Sequence, residues 1–154
     1  MPVDSGRPRL ILDAMVLAAG LTSRREPASY SRRLVELAFD GAFDLVVTEI
    51  LLEELFDVLI EPRFVGRVSD DEASVLMTGL ATVAAIVVAD RDLDHPPLTD
   101  DPDDDYLAGA ALATGAFLVT RDDAAAFAKV RGLVSGRPGT ALRRLGAFGE
   151  EEPS

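Results

Sequence analysis

The stretch DPDDDYLAGAALATGAFLVTRD, Asp101 to Asp122, reads as a helix running straight into a strand. Asp101 suits the N-cap, and Pro102 suits the first helical position, where its missing N–H costs nothing. A run of small residues follows. Gly115 then precedes AFLVT, a short apolar segment read as a buried strand. Four carboxylates crowd the first five positions of a chain whose net charge is already −12. Such a cluster is either a solvated helix start, a calcium loop, or one wall of a metal-dependent site.

Outward from this unit the same alternation repeats. RLILD (9–13), FDLVVT (43–48) and AAIVVA (84–89) read as further strands, and GLVS (132–135) as a fifth. SYSRRLVELAFDG carries Leu34, Leu37 and Ala38 at helical spacing and stops at Gly41. Thr48 caps EILLEELFDVL, which ends near Pro62. Ser69 and Glu72 form a capping box opening a helix through about Ala81. DDAAAFAKV and GTALRRLG are the last helical stretches. Strands apolar on both faces and separated by helices imply an α/β fold. The expectation is an α/β/α sandwich with a central parallel sheet of four to five strands, one domain over residues 9–147 with flexible tails at 1–8 and 148–154.

Composition removes several chemistries. The chain of 154 residues has no cysteine, which excludes disulfides, zinc–cysteine sites and thiol catalysis. Its one histidine, His95, lies in the proline-bracketed LDHPPL and reads as an exposed loop residue, not the base of a triad. LILDAMVLAAGL follows two arginines like a signal peptide, but Asp13 interrupts its apolar core. SVLMTGLATVAAIVVAD is too short and too broken to span a bilayer, so a cytoplasmic protein with no membrane partner is expected. Strong acidity opposes a broad electrostatic grip on nucleic acid, although bound divalent cations reverse the sign locally.

Four acids stand out by placement. Asp13 ends the first strand, and Asp122 lies just past the fourth, on the rim where sheets of this class bind ligands. Taken singly, each reads more simply as a turn or N-cap aspartate. In the Thr48 helix, Glu49, Glu53 and Asp57 form a solvent-facing stripe at i, i+4, i+8. Glu54 instead neighbours Ile50, Leu51, Leu55 and Val58, toward the apolar side; a surface glutamate at that edge is the plainer alternative. From Asp104, the i+3, i+4, i+7 and i+8 positions are Leu107, Ala108, Ala111 and Leu112, so Asp104 shares the packing face. Asp103 and Asp105 fall to the sides, solvated or adding charge near the site. An EF-hand needs spaced ligands, a glycine and a distant glutamate, which this run lacks. Converging carboxylates require a neutralising cation. Hard oxygen donors without histidine or cysteine select Mg2+ or Mn2+, the ions that serve phosphodiester hydrolysis.

LILDAMVL, VVTEILLEELFDVLIEPRF and DPDDDYLAGAALATGAFLVTRD, in this order, resemble PIN-domain proteins, particularly the VapC-like toxin branch of bacterial toxin–antitoxin systems. The resemblance implies a Mg2+- or Mn2+-dependent ribonuclease acting on RNA, often a homodimer, held inactive by a small antitoxin. It matches Asp13, Glu54, Asp104 and Asp122 to the four acids of the site, with Asp13, Asp104 and Asp122 as metal ligands and Thr120 as the usual hydroxyl beside the last. Two positions depart from the pattern. Met15 stands where asparagine is usual, removing a polar contact, and Arg121 replaces a residue that is often small. Arg121 is placed either to reach an RNA phosphate or to pair with the neighbouring acids.

Arg24, Arg25, Arg32 and Arg33 cluster near the second helix, as RNA contacts or as solvated charge. Met15 motivates a second reading, a PIN-like module that has lost catalysis and acts by binding. A phospho-aspartate receiver is a third, but it would need an acidic pair after the first strand and a lysine after the last. Lys129, the only lysine, falls instead in an expected helix.

Overall fold

The computed structural model describes residues 6–22, 29–89, 98–99, 102–121 and 124–146. Their elements run β1 (Arg9–Leu12), α1 (Ala14–Thr22), α2 (Tyr30–Phe39), β2 (Asp44–Thr48), α3 (Glu49–Ile60), α4 (Asp70–Val83), β3 (Ile86–Val88), α5 (Pro102–Thr114), β4 (Phe117–Val119), α6 (Ala124–Ala128), β5 (Ser135–Gly136) and α7 (Pro138–Arg144). The strands form one sheet in the order β3-β2-β1-β4-β5, with every pairing parallel. This is the expected α/β/α sandwich with its parallel sheet at the upper strand count.

Central strands are apolar on both faces because helices cover both. Leu10, Ile11 and Leu12 of β1, every residue of β2 and every residue of β4 are buried. The edge strand β3 departs from that expectation: Val87 is 62% exposed, since nothing among the described residues covers its outer face. Local chemistry fixes the helix ends. Ser29 caps α2 by accepting from Arg32 N–H, Thr48 caps α3 by accepting from Leu51 N–H, and Ser69 caps α4 by accepting from Glu72 N–H. Gly41 follows α2 with φ of 76°, a left-handed conformation that glycine adopts without strain.

Two elements differ from the sequence reading. AMVLAAGLT, assigned no helix, forms α1 and buries Ala14, Val16, Leu17, Ala18 and Gly20. A helix apolar on nearly every side leaves no periodic signal to detect. The fifth strand lies at Ser135–Gly136, displaced from GLVS, and α6 stops at Ala128, leaving Lys129 beyond it. Of the tail expected over 1–8, Pro8 O accepts from Asp44 N–H at 2.8 Å and Arg7 lies 3.8 Å from the Asp44 carboxylate, so this part is joined to β2. Residues 1–5 and 148–154, together with His95, Arg24 and Arg25, lie outside the described residues. Among the described residues no helix is long and apolar enough to cross a membrane.

The buried α1 packs on α2 and α3, and its approach to α2 is close. A Cβ added at Gly20 would lie 2.5 Å from the Ser31 carbonyl oxygen and collide with the Val35 side chain. Gly20→Ala is therefore expected to cost about 1–3 kcal/mol by overpacking, read as a fall in thermal midpoint of about 2–4 °C per kcal/mol in a chain of this size. Gly79 of α4 has nothing within 4 Å of the same added atom. Gly79→Ala should raise the midpoint through helix propensity alone. Equal midpoints for the two variants would contradict the α1–α2 approach.

Candidate active site

Strand order places the first acid. The chain leaves β1 with β2 on one side and β4 on the other, so β1 and β4 flank the point where strand order reverses. Ligands in open parallel sheets occupy the crevice outside the carboxyl ends at such a point. Asp13 stands there. Its N–H donates to Val119 O at 3.0 Å, continuing the β1–β4 ladder one residue past the strand. Its Oδ1 accepts from Val16 N–H at 2.8 Å, capping α1. The rim placement and the N-cap reading therefore both hold for one side chain.

Just past β4, Thr120 is fully buried and donates its N–H to Gly136 O at 3.0 Å, while the next residue, Arg121, is exposed. Asp122 lies outside the described residues, as does the side chain of Asp103. Met15, in the first turn of α1, is 39% exposed.

Helices following parallel strands begin on the carboxyl edge, which brings the starts of α3 and α5 to the same rim. In α3 the acidic stripe is as expected: Glu49, Glu53 and Asp57 are exposed, while Leu51, Leu55 and Leu59 are completely buried. Glu54 is half-buried between these faces. Ile50, expected on the apolar side, is exposed instead, because α3 packs through the Leu51–Leu55–Leu59 line.

In α5, Asp104 is half-buried and Leu107, Ala108 and Ala111 are buried, consistent with its inward face. Leu112 is a correction. It is 38% exposed, because the last turn of α5 opens onto a cleft of about 490 Å³ at the opposite, amino edge of the sheet. The acids around Asp104 have separable tasks. Asp105 Oδ1 accepts from Leu98 N–H at 3.3 Å, Thr99 N–H at 2.7 Å and Thr99 Oγ1–H at 2.7 Å, fastening the preceding loop to the first turns of α5. Tyr106, which is buried, donates its Oη–H to Glu54 Oε2 at 2.7 Å and so joins α5 to α3. Asp101, the expected cap, lies outside the described residues.

The donor set at this rim is carboxylate oxygen, suited in kind to a hard divalent cation. Among the described residues, however, no three Asp, Glu or His side chains gather closely enough to hold an ion. Asp13 follows β1, Glu54 lies in the second turn of α3 and Asp104 in the first turn of α5, and they close no three-ligand cage among themselves. Of the arginines expected near α2, Arg32 lies 3.6 Å and Arg33 4.0 Å from Glu36 carboxylate oxygens, so both are engaged within their own helix.

The sequence reading passed over Tyr106. A signal was present: it is a large polar-tipped residue in a helix stretch otherwise made of small apolar ones, and buried tyrosine hydroxyls ordinarily find a partner.

A family model of the PIN domain matches residues 9–124. No curated relative matches at a significant level. Among solved structures, the chain is similar to one in the crystal structure of VapBC2 from Rickettsia felis bound to a DNA fragment from their promoter. The TM-score is 0.57 and identity 16%, over 84% of this chain and 98% of that one. It is also similar to a chain of DNA-bound VapBC from Salmonella typhimurium, with TM-score 0.54 and 16% identity over 85% and 98% of the two chains. At such identities the structural likeness speaks for the fold. The family match spans most of the sequence and includes β1, α3, α5 and β4, the elements that carry the rim. The chain belongs to the PIN domain family.

Proposed function

We propose that this protein is a divalent-metal-dependent endoribonuclease, the toxin of a toxin–antitoxin pair. The observation that carries the reading is Asp13 at the point of strand reversal, its backbone fixed to Val119 and its carboxylate oriented by Val16 N–H. The PIN family match and the VapBC complexes among the similar structures support the same reading.

In this proposal Asp13, Asp104 and Asp122 would hold Mg2+ or Mn2+, and Glu54 would bind the ion or orient the attacking water. A bound ion would neutralise the carboxylates, activate water and stabilise charge on the scissile phosphate. The chain's own groups supply the frame. Thr120 holds the end of β4 in place, and exposed Arg121 stands beside it, available to an RNA phosphate. A small antitoxin and a second copy of the chain are the proposed partners, in the cytoplasm.

Met15 favours a second reading, a PIN module that binds without cutting. Its exposed thioether offers no useful hydrogen bond where the family resemblance sets an asparagine.

Substitution separates the neighbouring acids. Asp13→Asn keeps an oxygen to cap α1 and Asp104→Asn keeps the helix, so both should fold normally while cleavage of RNA falls at least about 100-fold, as expected when charge at a metal centre is lost. Asp105→Asn retains an acceptor for the Thr99 N–H and should cleave within a few-fold of the parent. Undiminished cleavage by purified Asp13→Asn or Asp104→Asn protein would refute the assignment. Chelation should likewise abolish cleavage, with Mg2+ or Mn2+ restoring it. Persistence in excess chelator would remove the metal from the proposal, whereas no cleavage with either ion, and RNA binding intact, would favour the binding module.

A further inference from the structure

We infer that Tyr106 is a positioning residue for Glu54, holding its carboxylate from across the α3–α5 interface. The inference rests on the nuclease reading for the task it gives Glu54, though not for the hydrogen bond itself. A glutamate side chain has three freely rotating bonds, and fixing it costs up to about 2 kcal/mol of rotamer entropy. Tyr106 Oη donates to Glu54 Oε2 at 2.7 Å from a residue only 8% exposed, so the donor is itself held by packing. Phenols are rigid donors with two rotatable bonds, and hydrogen bonds to an ionised acceptor are about twice as strong as neutral ones.

Position along α5 gives the arrangement its logic. Consecutive helical residues point about 100° apart, and Asp104, Asp105 and Tyr106 accordingly face different surroundings. Asp105 fastens α5 to Leu98 and Thr99, while Tyr106 reaches Glu54 on α3. The first turns of α5 are thereby tied on two sides, to a loop and to a neighbouring helix. The same bond that aligns α5 on α3 fixes where the Glu54 carboxylate sits relative to Asp104. A tyrosine that merely filled the core would need only some partner for its hydroxyl. Here the partner is one of the four acids that the PIN resemblance matches to the site.

The chain's own fluorophores provide a test that does not depend on catalysis. It has two tyrosines, Tyr30 and Tyr106, and no tryptophan, so Tyr30→Phe leaves Tyr106 as the sole emitter. A carboxylate accepting a phenol's proton quenches tyrosine fluorescence, and adding Glu54→Ala to Tyr30→Phe should therefore raise the emission. Tyr106→Phe keeps the ring and should lower kcat for RNA about tenfold, the loss expected of a charged hydrogen bond, with KM within about twofold and a thermal midpoint lower by only a few degrees. Placed on Glu54→Ala, Tyr106→Phe should cause no further loss, because the two residues act as one unit. Emission unaltered by Glu54→Ala would overturn the hydrogen bond, and with it the inference. Equal factors for Tyr106→Phe in the parent and in Glu54→Ala would also overturn it, showing a general structural role. A rise in emission from a chain that cleaves no RNA with Mg2+ or Mn2+ would overturn the nuclease reading and the positioning role together, while leaving the hydrogen bond standing.

Discussion

The hydrogen bond from Asp13 N–H to Val119 O, 3.0 Å long, carries the architecture of the rim. It extends the central β1–β4 pairing just beyond the last residue of β1, at the one place in the sheet where neighbouring connections diverge. Thr120 ends β4 against β5, α1 starts from Asp13 itself, and the α3 and α5 starts arrive from the flanking connections. Parallel pairing demands long crossovers, and long crossovers bring helix starts to one edge. The arrival of several helix starts at one rim follows from that demand.

Much of this was legible in residue order. Branched apolar runs marked β1, β2 and β4, and Thr48 and Ser69 announced two helix starts through side chains that the structure shows capping them. The facing of Glu54 and Asp104 followed from helical spacing, and their half-buried state agrees with it. Other features left no local trace. The α1 helix has no polar face, so periodicity could not reveal it, and the exposure of Val87 depends on its strand being at an edge. Ile50 and Leu112 are apolar residues left outside because packing runs along other lines of α3 and α5. The bond from Tyr106 to Glu54 crosses 52 positions of sequence, a distance over which no motif spacing operates.

The acidic run at the start of α5 shows how one composition can serve unlike ends. Asp105 is occupied by three donors from Leu98 and Thr99, and behaves as a clasp between a loop and a helix. Asp104, beside it, faces the packing side. Charge density alone would have treated the two as equivalent. Their separation comes from helical geometry, which turns adjacent residues toward different neighbours.

Asp13 also serves two masters: its Oδ1 receives Val16 N–H and so stabilises the first turn of α1, apart from any chemistry at the rim. A chain of this fold with no chemistry at the rim would still lose about 1 kcal/mol on replacing this residue with alanine. Structural need alone would therefore tend to keep aspartate, asparagine or serine there. An acid at position 13, as against any capping residue, is what the fold by itself does not require.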